Sequence, residues 1–292
     1  MPSGYSTTAA GGALTQEETA ALLVEPLMAE AVVLAAGPRV FTSDGVPLNI
    51  PKIAALDLAD PWRSENTLIA EADPTYSELV LLPSTLKSLK VLHRISNELS
   101  RHAVTSIATV LGAALVRRVA NAIDRAFLVG DGAANTVLGV ANQTGVQTMN
   151  AVGAPTVDDL HDALGLGMAA NAKPSAWFMN PRDLVALRKA KDSSGAFLVH
   201  PDPTAPGTFQ LLGVPVYVTT QIPTSGGAGT NESRIILADM TQVAVGRDQD
   251  VNVTLLEETF ADYDQLGIRV TARFDVGLLN ASGVVVLNGV TP

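Results

Sequence analysis

The amino-acid sequence predicts an α+β fold, and three observations carry that prediction. Residues 101–129 repeat apolar side chains at intervals of three and four, the spacing that lines one face of a helix. Leu266, Ile268, Val270, Ala272, Phe274 and Val276 alternate strictly with Gly267, Arg269, Thr271, Arg273 and Asp275, the period of a strand buried on one face. Helical and extended segments follow one another without the regular alternation that a doubly wound parallel sheet requires. The 292 residues are 47% hydrophobic, with a mean hydropathy of +0.25, enough for a large core. Only 16% of residues are charged, against roughly 25% in an ordinary soluble domain. No apolar run approaches the about 18 residues of a membrane span, so no membrane partner is expected and the shortage of charge needs another explanation.

Residues 1–13, small and polar, read as an arm. Thr15-Gln16-Glu17-Glu18 has the spacing of a capping box and opens a helix carrying Leu22, Leu23, Leu27 and Met28, interrupted by Pro26 and ended by Gly37-Pro38. From Arg39 the character changes. Val46, Leu48 and Ile50 alternate with Pro47 and Asn49 until Pro51 ends the run, and a second extended run, residues 76–95, contains Pro83, Lys87 and Lys90. Proline cannot donate a ladder hydrogen bond, so both runs belong to an edge or an exposed ribbon. Residues 57–73 between them form a polar tip. The result is a long two-stranded ribbon projecting from the body, and because two strands alone are marginal in water it lies against something else.

The strongest helix signal follows at residues 101–129, about 40 Å long at 1.5 Å per residue, with Arg117, Arg118, Asp124 and Arg125 off its apolar face and Gly130-Asp131-Gly132 stopping it. Thr156-Val157-Asp158-Asp159 caps a helix running to about residue 170, and Asn180-Pro181 opens another with Asn as cap and Pro at the first position. Short strands are expected at 175–179, 214–219, 234–239, 242–246, 251–256 and 284–287, and residues 224–231 form a glycine-rich loop.

The chain carries 19 Lys+Arg against 29 Asp+Glu, a net charge of −10, which argues against a broad basic face for nucleic acid. There is no cysteine, which excludes disulfides and thiolate metal sites. The N-terminus lacks the basic start and apolar run of a signal peptide, so folding in a cytoplasm is expected. His93, His102, His161 and His200 lack metal-site spacing. Gly130-x-Gly132 follows a helix where a dinucleotide loop needs a strand. Asp248-x-Asp250-x-Asn252 begins like a calcium loop, but Val253 stands at the glycine position and Thr259 at the glutamate, so it reads as solvated acids entering a strand. Glu257, Glu258, Asp262 and Asp264 read as a chance acidic cluster. No catalytic, metal-binding or cofactor-binding residue and no cofactor is assigned. Trp177, inside Ala176-Trp177-Phe178-Met179, reads as core. Trp62, on the polar ribbon tip, reads as a protein contact.

The order of short motifs resembles the tailed-bacteriophage major capsid protein family, the Hong Kong 97-type fold, over essentially the whole chain. The residues that carry the resemblance are Ala70-Glu71 and Ser96-Asn97-Glu98-Leu99, then Leu128-Val129-Gly130-Asp131-Gly132 with Leu138-Gly139-Val140. Further along come Met179-Asn180-Pro181, Lys191-Asp192, Gly195-Ala196-Phe197-Leu198, Leu212-Gly213-Val214-Pro215-Val216, Ala238-Asp239-Met240 and Arg273-Phe274-Asp275. The resemblance implies an N-terminal arm (1–38) and an extended β-ribbon loop with its roots (39–92). It further implies a peripheral domain (93–132 and 246–273) built on a spine helix (101–129), and an axial domain (133–245 and 274–292).

The function implied is that of a structural protein, not an enzyme, self-assembling through pentamers and hexamers into an icosahedral shell around double-stranded DNA held without sequence specificity. It would reside in the virion capsid after assembly in the host cytoplasm, with room for separate scaffold, portal and decoration proteins. The candidate inter-subunit contacts are Trp62, Arg63, Glu71, Lys87 and Lys90. Some members of the family crosslink subunits through a lysine and an asparagine, aided by a glutamate. Thr75, Asp264 and Thr271 stand at those positions here, so no isopeptide crosslinks are expected. The apolar excess is then expected to show as exposed hydrophobic surface on the ribbon, the arm and the axial edges of a single chain. Arg117, Arg118 and Arg125 either face the DNA or pair with acids. An encapsulin-like cellular compartment shares the implied fold, and a metal-dependent enzyme using the acids around Glu257 and Asp264 is a third reading.

Overall fold

Two β-sheets pack around one long helix, and a two-stranded hairpin is rooted on the first sheet. The computed structural model describes residues 31–55, 62, 64–67, 75–82, 88–98, 107–133, 136–150, 152–191, 209–227, 229–256 and 258–292. The described chain enters through a short helix, α1 (Val32–Ala35), and the strand β1 (Arg39–Thr42), runs out and back through β2 (Leu48–Ala55) and β3 (Thr75–Leu81), and returns as β4 (Leu89–Ser96). The helix α2 (Ile107–Val129) follows, 23 residues long. Next come β5 (Gln147–Met149), α3 (Val157–Ala169), β6 (Ala176–Met179), α4 (Pro181–Lys189), β7 (Phe209–Leu211), β8 (Val214–Val218) and β9 (Ser233–Ala238). The strands β10 (Val243–Leu256), β11 (Gln265–Leu278) and β12 (Val284–Val290) close the chain.

The first sheet has the order β1-β10-β11-β4, the second β5-β12-β9-β6-β8-β7, and β2 pairs only with β3. On β11 the residues Ile268, Val270, Ala272 and Val276 are buried against Leu115, Val119, Ile123 and Phe127 of α2, and Phe127 meets Phe274 edge-on at 6.5 Å. One face of the first sheet is therefore core, which is why β11 alternates. The second sheet is covered on both faces. Val284 and Val286 join the α2 core, whereas Val285 and Leu287 join Trp177 and the apolar sides of α3 and α4. A strand buried on both faces reads as an unbroken apolar run, and that is the pattern of β12. Trp177 is fully buried, as expected, and its indole N–H donates to the Leu211 carbonyl at 3.3 Å.

The predicted caps form. Thr156 and Asp159 make the reciprocal capping box of α3, and the Asn180 side chain accepts from the Arg182 N–H at the start of α4, with Pro181 at the first position. Just past the end of α2, position 130 has room only for glycine, because a Cβ there would lie 2.1 Å from the Val137 carbonyl oxygen and 2.5 Å from that of Ala126.

Several expectations change. Pro51 does not end its strand: it lies inside β2 opposite Glu78, tolerated because a two-stranded hairpin leaves half its N–H groups unpaired. The extended run 76–95 is two strands in different sheets, since Leu82 takes a left-handed φ of 54° and β4 pairs with β11. The strands expected at 242–246 and 251–256 are one, β10, with irregular register between Arg247 and Asn252. Asp124, placed off the apolar face of its helix, is 1% exposed. Asp248, expected in solvent, has a side chain only 6% exposed. The three- and four-residue strands β1, β5 and β7 carry too little pattern to be read. Residues 1–30, with the expected arm helix, and residues 101–106 of the expected long helix lie outside the described residues.

Candidate functional site

The hairpin has one face with a partner and one without. Its inner face places Leu48 opposite Leu81 and Ile50 opposite Leu79, and Leu81 is 1% exposed. Its outer face presents Asn49, Pro51, Glu78, Tyr76 and Val80 to solvent, the last two 71% and 47% exposed. Val46 near the root and Trp62 are exposed as well. The inner face fits the body through two glycines. A Cβ at Gly277 would lie 2.7 Å from Leu81 Cδ2 and 2.8 Å from Leu79 Cδ1, and one at Gly246 would lie 3.2 Å from Leu81 Cβ. The neighbours Val245 and Val276 pack toward α2. Alternation along a strand therefore sets the hairpin root and α2 on opposite faces of the first sheet.

Carboxylates fix both ends of the hairpin. The Leu82 N–H donates to Asp275 Oδ2 at 2.9 Å where the chain leaves β3. Where it enters β2, the Gly45 N–H donates to Asp248 Oδ1, and Asp248 also pairs with Arg273 at 3.3 Å. The Ser43 N–H adds a bond to the Arg247 carbonyl at 2.8 Å. A third carboxylate fixes α1: Asp124 on α2 accepts from the N–H groups of Val32 and Val33, each at 3.0 Å. Ala31 in the cap position offers no side-chain oxygen, so Asp124 supplies the cap from the tertiary structure. Burial pushes the Asp124 carboxyl up to about 6, with the two backbone hydrogen bonds pulling the other way.

A cleft of about 490 Å³ lies beside the root, lined by Leu79, Leu81, Val137, Leu138, Phe274 and Gly277. A second apolar surface belongs to the second sheet and its helices: Leu166 and Met168 at the end of α3, Val185 on α4, and Phe209 and Leu212 about β7 are all exposed. The Arg188 guanidinium stands 5.3 Å from the Phe209 ring centroid. Exposed apolar surface thus falls on the hairpin and on the α3, α4 and β7 edge, with Val40, Leu92, Leu138 and Tyr263 exposed elsewhere, while residues 1–30 of the arm lie outside the described residues.

Of the sequence-derived contact residues, Trp62 is 87% exposed and Lys90 is exposed on β4, directly across from Thr271. Arg63, Glu71 and Lys87 lie outside the described residues. Thr75 begins β3. Asp264 holds a left-handed φ of 48° before β11 and accepts from Asn97 Nδ2 at 2.6 Å. The strand separates Asp264 from Thr271 by about 23 Å at roughly 3.3 Å per residue, so the two are not brought together within one chain. Among the described residues no cluster of three or more His, Asp or Glu side chains is arranged to hold a metal. The acids whose engagement sequence reasoning missed include Asp124, Asp183, Asp239, Asp248 and Asp275. Only Asp124 carried a signal, an acid standing next to Ile123 in a strongly apolar helix.

The phage capsid family matches residues 11–289. The major capsid protein of Klebsiella oxytoca phage phiKO2 is 27% identical over 301 residues, spanning 96% of this chain and 68% of that protein. Among solved structures, the capsid of the native GTA particle superposes with a TM-score of 0.71 at 19% identity, covering 89% of this chain and 91% of that one. A Mycobacterium phage Bobi structure superposes at 0.69 and 17% identity, covering 88% and 89%. The capsid fold expected from the sequence is the fold observed.

Proposed function

The chain belongs to the phage capsid family, and on that premise we propose that it is the repeating unit of a closed icosahedral shell, built through pentamers and hexamers around double-stranded DNA, without crosslinks and without catalysis of its own. The hairpin carries this reading. Its root is fixed by Asp275, Asp248 and the two glycines, while its outer face leaves Tyr76 and Val80 in water. Burying such a side chain contributes about 1.5–3 kcal/mol, so a hairpin marginal by itself becomes favourable when it lies across a neighbouring copy. The exposed edge about α3, α4 and β7 offers a second, separate surface, as a subunit meeting several neighbours needs.

In this reading residues 1–38 are an arm, 39–92 the extended loop with its roots, 93–132 with 246–273 the peripheral domain, and 133–245 with 274–292 the axial domain about which copies meet. Trp62, Arg63, Glu71, Lys87 and Lys90 are the inter-subunit contacts, the last of them on β4 of the first sheet. Thr75 offers no amine, Asp264 no carboxamide and Thr271 no carboxylate, so the amide-forming step has neither nucleophile, electrophile nor base. Cohesion is then non-covalent, with room for separate scaffold, portal and decoration proteins, and the finished shell is the virion capsid, assembled in the host cytoplasm. Electron microscopy of the purified protein tests the reading: uniform hollow shells or capsomer rings support it, and a small discrete oligomer overturns it. A ladder of high-mass species on a boiled denaturing gel of the particles would overturn the absence of crosslinks.

A further inference from the structure

A basic stripe runs along the solvent side of α2. Ala114, Arg117, Arg118, Asn121 and Arg125 are all exposed, and the only acid between Ile107 and Val129 is Asp124, which is turned inward and holds Val32 and Val33. The stripe is thus free of acids in a chain of net charge −10. Among the described residues neither Arg118 nor Arg125 forms an ion pair, whereas Arg117 has a contact of its own and carries none of the argument. Asp131, two residues past the end of the helix, lines a cleft with Arg125 and accepts from the Ala133 N–H and the Thr136 hydroxyl.

We propose that this stripe lines the interior of the shell and that Arg118 and Arg125 take the phosphates of the enclosed duplex without reading its bases. The inference rests on the shell reading above. Two helical turns put the two arginines on nearly one line, about 10 Å apart at 1.5 Å per residue, which matches the axial rise of about three base pairs of duplex at roughly 3.4 Å each. Guanidinium groups meet phosphate through paired N–H donors, and a lone Asn121 beside them is too little to specify sequence. α2 and the hairpin root cover opposite faces of the first sheet, so the chain's own hairpin root does not cover the stripe. The surrounding negative charge keeps the contact weak, and its salt dependence is set by the two phosphates taken, about 0.9 in the slope for each.

The test uses the full-length, unassembled protein and a fluorescent duplex of about 30 base pairs, titrated over a range of salt. The double variant Arg118→Gln/Arg125→Gln is compared with Lys173→Gln/Lys189→Gln, which makes the same change in charge at exposed residues elsewhere. The expected result is a slope of log K against log salt that falls by about 2 in the arginine variant, about 0.9 for each lost phosphate, and stays unchanged in the lysine variant. An unchanged slope in the arginine variant, an equal fall in both, or no duplex binding by the wild type overturns the proposal. So does an arginine variant that keeps the slope yet stops forming shells, because the stripe then meets an acidic segment of another copy. Electron microscopy of the wild type reads the underlying shell assignment separately, since shells with an unchanged slope remove the stripe alone.

Discussion

Replacing Asp124 with asparagine tests how the helix α1 is held. The carboxyl titrates near 6 in the folded protein against a usual value of 3.8, so between those two values the folded state holds more protons than the unfolded one. Stability from this group is therefore greatest in acid, falls as pH rises through that window, and is flat above it. The whole difference is about 3 kcal/mol at 1.36 kcal/mol per unit, and about 1.4 kcal/mol of it is regained on going from pH 7.5 to 5. A carboxamide in the same place does not titrate. At neutral pH it also removes the buried charge but leaves one of the Val32 and Val33 N–H groups without an acceptor, at a cost of about 1–3 kcal/mol, so absolute stabilities of the two proteins lie close together. The informative quantity is the difference between their pH profiles. Urea unfolding of unassembled protein at intervals from pH 7.5 to 5 should show the wild type gaining about 1.4 kcal/mol on Asp124→Asn. Parallel profiles, or a wild type that loses ground in acid, would refute the reasoning, because either result means that burial does not outweigh the two backbone bonds.

Gly130→Ala should cost about 3 kcal/mol, read as a lowered thermal midpoint, because the new Cβ meets the Val137 and Ala126 carbonyl oxygens, which belong to backbone and cannot swing aside. Asp183 is fully buried, accepts from the Ser233 hydroxyl at 2.5 Å and pairs with Arg182 Nε at 3.1 Å. Asp183→Ala should destabilise the protein by about 3 kcal/mol in denaturant titration, with Arg182→Lys intermediate because a single ammonium cannot reach Asn231, Ser233 and Val290 together. Tyr76→Ala combined with Val80→Ser should leave unfolding of the unassembled chain within about 0.5 kcal/mol of wild type, since both side chains are exposed. The same pair should greatly reduce the yield of shells in sedimentation.

Local periodicity was readable wherever one residue's environment repeats along its own segment. The alternation of β11, the three-and-four spacing of α2, the apolar run of β12 and the caps at Thr156 and Asn180 are all written within a few neighbouring residues. The ordered motifs, weak singly, placed the whole chain in its family for the same reason. What the sequence could not contain was the partner of each buried acid. Asp124 caps a helix 92 residues away, Asp275 holds Leu82 across 193 residues, and Asp248 holds Gly45 across 203. A carboxylate looks alike in sequence whether water or a distant N–H donates to it, and only the folded chain supplies that N–H. The division of residues 76–95 between hairpin and body, and the glycines that receive Leu79 and Leu81, were settled in the same way. Sequence alone determined which residues are apolar and with what period. Tertiary structure decided which apolar faces find a partner within the chain and which, on the hairpin, stay exposed on it.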